Sequence, residues 1–157
     1  MRVNRRHGRL RLQLEPVEVA LLQSLLDQLE AVLDGAADDG AEEIRARLVP
    51  AAYRDDPEAA QEFHRLTADA LRSERDERIA AFRAELASSE AVDITDPDHA
   101  RRWIQVLNDL RLAIGTRLGV TEDDPPDFDP DEAGAELRAV YHWLTAVQDA
   151  VVVELMG

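Results

Sequence analysis

The run from Trp103 to Gly119, WIQVLNDLRLAIGTRLG, constrains the fold of this chain more than any other stretch. Trp103, Leu107, Leu110, Ile114 and Leu118 recur every three or four residues, the spacing of one face of an α-helix. A stripe headed by a tryptophan must be covered by other elements, so the helix predicts a packed bundle around it. It starts at Asp96-Pro97, a capping carboxylate before a proline at the first helical position, and Gly119 ends it. The same start signal stands at Asp56-Pro57 and Asp129-Pro130, where Glu132 is placed to complete a capping box.

Other stretches supply the covering elements. RLRLQL, residues 9–14, alternates strictly, with Leu10, Leu12 and Leu14 on one side, which is the period of a half-buried strand. Gly8 lets the chain turn and pair residues 2–6 as a second strand. A lone hairpin is marginal in water, so its leucine face must dock on helices. Leu22, Leu25, Leu26, Leu29, Val32 and Leu33 mark a helix over 16–34, stopped at Gly35. A short helix spans 42–49, before Pro50. A long one spans 57–88, with Phe63, Leu66, Ala70, Ile79, Phe82 and Leu86 as its stripe. Within it RSERDER, residues 72–78, is charged on all faces, so that turn either stands clear of the body or bends. The helices over 97–119 and 130–156 are joined by an acidic, proline-rich linker; Leu137, Val140, Tyr141, Leu144, Val147, Val151 and Leu155 line the last helix. These elements predict one mainly α domain over 1–157: a bundle of four main helices plus a short helix, with the N-terminal β-hairpin over 1–14 as an arm.

Charge and composition exclude several function classes. A formal charge of −15 disfavours generic contact with nucleic acid or anionic membrane. Screening limits that field to about 8 Å at physiological salt, so a local basic patch can still act. One exists: Arg2, Arg5, Arg6, Arg9 and Arg11 share the first 14 residues with no acid. With no cysteine, disulfides, thiolate metal sites and thiol switches are excluded within these 157 residues. There is no run of 18 apolar residues and no apolar signal core, which leads us to expect a cytoplasmic protein without a membrane span.

Tests for chemistry find no complete set of groups. His7, His64, His99 and His142 are scattered, and Gln61 stands where a di-iron Glu-x-x-His motif needs a glutamate. The serines lack a glycine-rich elbow, and the seven glycines form no phosphate loop. Acidic pairs are abundant, as on any solvated acidic surface. The expectation is a non-enzymatic chain with no metal and no cofactor.

Two polar sets remain. On the opening helix Asn108, Arg111 and Gly115 share one side, and Asp109 and Thr116 another, with Arg117 beside them. Together with Trp103 for packing, they form either a polar network that pins helix packing or an interaction surface. Arg111 lies between Leu110 and Leu112, so its stem should be partly buried and a partner carboxylate is expected; Asp109, two residues away, is badly placed to serve. The arm arginines are either a charged edge that resists aggregation or a contact for phosphate backbone or an acidic partner.

Four segments also carry a resemblance. WIQVLNDLRLAIGTRLGV followed by TEDD, LEPVEVALLQSLLDQL near the start, LVPAAYRDD before the long helix, and YHWLTAVQDAVV at the end are similar to an actinobacterial domain-of-unknown-function family. Its genes often lie beside the protease adaptor ClpS, and it is the family of AosR-type oxidative-stress regulators. The resemblance spans nearly the whole chain, and its motifs carry no catalytic chemistry. It implies a transcription regulator acting through protein contacts, with sigma factor or RNA polymerase as partner. The alternative it implies is an accessory of Clp-linked proteolysis. Thiol sensing belongs to the family's implied role, and this chain departs from it by having no cysteine. Direct DNA contact and a homodimer stay open.

Overall fold

The computed structural model describes residues 1–35, 40–48, 57–88, 91–119 and 134–156, and of residues 57, 60, 63–66, 68 and 69 the backbone alone. Its elements in order are β1 (Arg2–Arg6), β2 (Arg9–Gln13), α1 (Pro16–Leu33), α2 (Ala41–Leu48), α3 (Pro57–Ser88), β3 (Ala91–Ile94), α4 (Pro97–Leu118) and α5 (Ala135–Met156). The architecture is mainly α, as the periodicities predict, with a small antiparallel sheet in the order β1-β2-β3.

β1 and β2 form the expected hairpin, with Arg6 opposite Arg9 and a two-residue turn between them. His7 and Gly8 both take positive φ, 52° and 78°. That is the turn whose twist matches the strands it joins. Leu10, Leu12 and Leu14 are buried, so the leucine face docks on the helices. β3 is an addition to the sequence expectation, which left residues 89–96 without an element. It pairs with β2, Leu10 opposite Ile94 and Leu12 opposite Val92. The hairpin is therefore the outer part of a three-stranded sheet with β2 at its centre.

α4 is the central helix. Trp103, Val106, Leu107, Leu110 and Ile114 are buried along it, and Trp103 lies against Phe82 of α3 with ring centroids 4.3 Å apart. Asp96 caps its start by accepting the His99 amide at 2.8 Å, and Gly119 closes it at φ 66°. α5 packs along α4, burying Leu144, Val147 and Val151. It begins at Ala135 rather than at Pro130, because Gly134 stands at φ 83°, which a helix interior does not allow. The Asp56, Asp129 and Glu132 caps and the side chains of Phe63 and Leu66 lie outside the described residues. Ala70, expected on the buried stripe of α3, is exposed.

The charged turn RSERDER does not stand clear of the body. Arg72, Arg75 and Arg78, three apart on one side of α3, are all partly buried. Arg72 donates to the Leu33 carbonyl at 2.8 Å and pairs with Asp34, while Arg75 donates to the Leu48 carbonyl at 3.1 Å. From α2, Arg45 donates to the Val32 carbonyl at 2.9 Å. The last turn of α1 contains no basic residue of its own. Carbonyls of that turn and its negative dipole end are met by arginines from two other helices.

Candidate functional site: the polar faces of the central helix

The polar residues of α4 sort into three environments. At its first turns a carboxylate from α3 acts as a hub. Glu85, half-buried, accepts the Trp103 indole Nε1–H at 2.7 Å, pairs with His99 Nε2 at 2.7 Å, and binds Arg102. The Thr95 amide donates to His99 Nδ1 at 3.2 Å. That nitrogen is thus an acceptor, which leaves the proton on Nε2, directed at Glu85. Burial pushes the Glu85 carboxyl up, but hydrogen bonds from His99, Trp103 and Arg102 outweigh it and hold the group below the usual glutamate range. Sequence reasoning missed this hub. Its signal was Trp103 itself, since a buried indole N–H needs an acceptor.

In the middle of α4, Asp109 does not form part of a surface: it is 8% exposed and faces α3. Its Oδ2 lies 3.4 Å from Arg75 Nε, an ion pair without a hydrogen bond. Arg75 Nε and Arg78 Nε likewise find no hydrogen-bond partner among the described residues. Burial pushes the Asp109 carboxyl above the usual aspartate value, against the opposing charges of Arg75 and Arg78.

The third environment faces α5 and α2. Arg111 Nε donates to Thr145 Oγ1 at 3.0 Å, its Nη1 bonds Gln148 Oε1, and its guanidinium lies 5.4 Å from the Tyr141 ring centroid. Gln148, itself buried, donates to the Ile104 carbonyl at 3.3 Å. The carboxylate partner expected for Arg111 is not found among the described residues; two neutral acceptors and a ring take its place. Such groups hold the arginine without cancelling its charge. Asn108, Arg111, Leu112, Gly115, Thr116, Tyr141 and Arg47 of α2 line a shallow cleft of about 150 Å³. Thr116 is buried and donates to the Leu112 carbonyl at 2.7 Å, and Gly115 is buried too. Of the seven residues singled out on α4, then, Asn108, Arg111, Gly115 and Thr116 come together, Asp109 and Trp103 face the interior, and Arg117 is exposed beyond the cleft.

The arm is partly neutralised. Arg5 pairs with Glu154 of α5 at 2.9 Å and Arg11 with Asp93 of β3 at 3.5 Å. Arg2, Arg6 and Arg9 are exposed and have no acidic partner among the described residues. No group of three metal-ligating side chains gathers, and no helix is long and apolar enough to cross a membrane, among the described residues.

Comparison with known proteins gives a consistent answer along the chain. The family model described as "Domain of unknown function (DUF2017)" matches residues 1–155. Proteins named "Oxidative stress regulator AosR" from Mycobacterium tuberculosis and Mycobacterium bovis are 32% identical over 192 aligned residues, covering 99% of this chain and 87% of each relative. A Mycobacterium leprae protein with the AosR name is 31% identical over 186 residues, covering 95% of this chain and 83% of the relative. No solved structure matches the chain. A match over nearly every residue, through the central helix and both its neighbours, assigns the chain to the DUF2017 family of AosR-type proteins.

Proposed function

We propose that this protein is a non-enzymatic regulator of the oxidative-stress response that works by contacting another protein. The observation that carries this is the 32% identity over 99% of the chain to proteins named oxidative stress regulator. Two features support a contact mechanism. The chain contains no cysteine, so no thiol switch can form within it, which favours an oxidative signal that arrives through a partner. The cationic groups left exposed, Arg2, Arg6 and Arg9 on the sheet, suit an acidic protein surface better than DNA, given a net charge of −15. The proposed partner is the transcription machinery, a sigma factor or RNA polymerase.

Affinity capture from the native host, with the bound proteins identified, tests this. Recovery of sigma factor or polymerase is the expected result. Recovery of Clp components without polymerase replaces it with a role in regulated proteolysis. DNA binding measured against salt settles the arm separately. A steep salt slope that flattens when Arg2, Arg6 and Arg9 become Ala would transfer the arm to phosphate contact.

A further inference from the structure

The Arg111 cleft is built in a way that a packing network does not require. Arg111 is fixed on three sides, by Thr145 Oγ1, Gln148 Oε1 and the Tyr141 ring. Two of those supports are themselves anchored: Thr145 Oγ1 donates to the Tyr141 carbonyl at 3.0 Å, and the Gln148 amide donates to the Ile104 carbonyl. A guanidinium has five N–H donors, and two are used here, which leaves about three on a group that stays charged at any physiological pH. Arg47 also lines the cleft, and its partner is the exposed Glu43 at 3.4 Å. Exposed ion pairs of that kind contribute little and exchange readily. Asn108 adds an exposed amide at the rim, and Gly115 keeps the floor free of a side chain. Two guanidinium groups, one of them preorganised, thus border a recess of about 150 Å³ in a strongly acidic protein.

We infer that this cleft binds a small tetrahedral oxyanion of the phosphate class, held by Arg111 and Arg47 with Asn108 at the rim. The volume admits one such group, and the N–H groups of Arg111 that Thr145 and Gln148 do not use are available to donate to its oxygens. Two cationic groups match a dianion better than a single carboxylate. The inference does not depend on the partner proposed above, because it concerns what the purified chain binds by itself.

The test is a titration of the full chain with inorganic phosphate at constant ionic strength, balanced with chloride and followed by NMR. Saturable shifts at the Asn108 and Gly115 amides and the Arg111 Nε–H are expected, without comparable shifts at Arg2, Arg6 or Arg9. Arg47→Gln, a change at an exposed residue that should leave the fold intact, is expected to weaken binding about fivefold, the loss of roughly 1 kcal/mol. Arg111→Gln should abolish it, and the spectrum reports directly whether that variant is folded. Shifts that grow linearly, or equally with chloride, overturn the inference, as does an Arg47→Gln variant with unchanged affinity. Saturation by acetate but not phosphate assigns the cleft to a carboxylate and also overturns it. Failure here leaves the regulator proposal standing, and failure of partner capture leaves the phosphate titration unaffected.

Discussion

Two carboxylates between α3 and α4 have arginines as neighbours, and they titrate in opposite directions. Glu85 is held below the ordinary glutamate range, and Asp109 is pushed above the ordinary aspartate range. Charge alone does not separate them, since Asp109 has two guanidinium groups near it and Glu85 has Arg102 and His99. Depth of burial and hydrogen bonding do. Glu85 has donors from Trp103, His99 and Arg102, whereas Asp109 Oδ2 has an ion pair at 3.4 Å and no hydrogen bond. A buried carboxylate is stabilised by donors that replace its lost water, and a nearby charge in poor geometry does not replace them. The first end of α4 is thus fastened to α3, while its middle holds an ionic cluster that works against its own burial.

The comparison breaks most readily at the hub. Glu85→Ala leaves the Trp103 N–H without an acceptor inside the core, and a loss of about 2–3 kcal/mol in urea unfolding is expected. A loss below about 0.5 kcal/mol would show that the hub holds nothing. Trp103→Phe removes one donor from Glu85 and opens space against Phe82, for an expected loss of about 1–2 kcal/mol. The two carboxylates should also part with pH. Glu85, with its folded pKa lowered, contributes stability above the unfolded value near 4.3 that is lost as pH falls through the lower folded value. Wild type should therefore lose stability in that acid range, and Glu85→Gln should flatten the loss. Asp109, with its folded pKa raised, contributes stability below about 3.9 that is lost as pH rises through the higher folded value. Asp109→Asn should accordingly gain on wild type as pH rises from about 4 towards neutrality, and remain within about 1 kcal/mol of it. Asp109→Asn costing several kcal/mol at pH 7 would place Asp109 in the same class as Glu85. The smallest effect belongs to the arm, where Arg2, Arg6 and Arg9 changed singly to Ala should each move stability by less than about 0.5 kcal/mol.

The sequence made the helices legible because their apolar stripes repeat over many turns and their ends have specific residues. Asp96 and Gly119 do what their types suggest. β3 was not legible because four residues, with only Val92 and Ile94 facing inward, give too short an alternation to stand out. RSERDER was misread because a charge run is usually solvated, whereas its arginines point to carbonyls at the ends of α1 and α2. Backbone acceptors leave no mark in a sequence. The candidate cleft was half legible. Asn108, Arg111 and Gly115 share a side by spacing alone, but Arg47, Tyr141, Thr145 and Gln148 come from helices whose approach no local pattern encodes.

The sheet has a consequence in time. β2 forms near the start of synthesis, but the strand that covers its second edge begins at Ala91, and the helix that follows on α4 comes later still. At roughly 5–20 residues per second, the ribosome leaves Leu10 and Leu12 waiting several seconds for Ile94 and Val92. During that wait an alternating strand is an aggregation template. Arg9 and Arg11, on either side of Leu10, are charges of the kind that keep an uncovered strand from pairing with another chain.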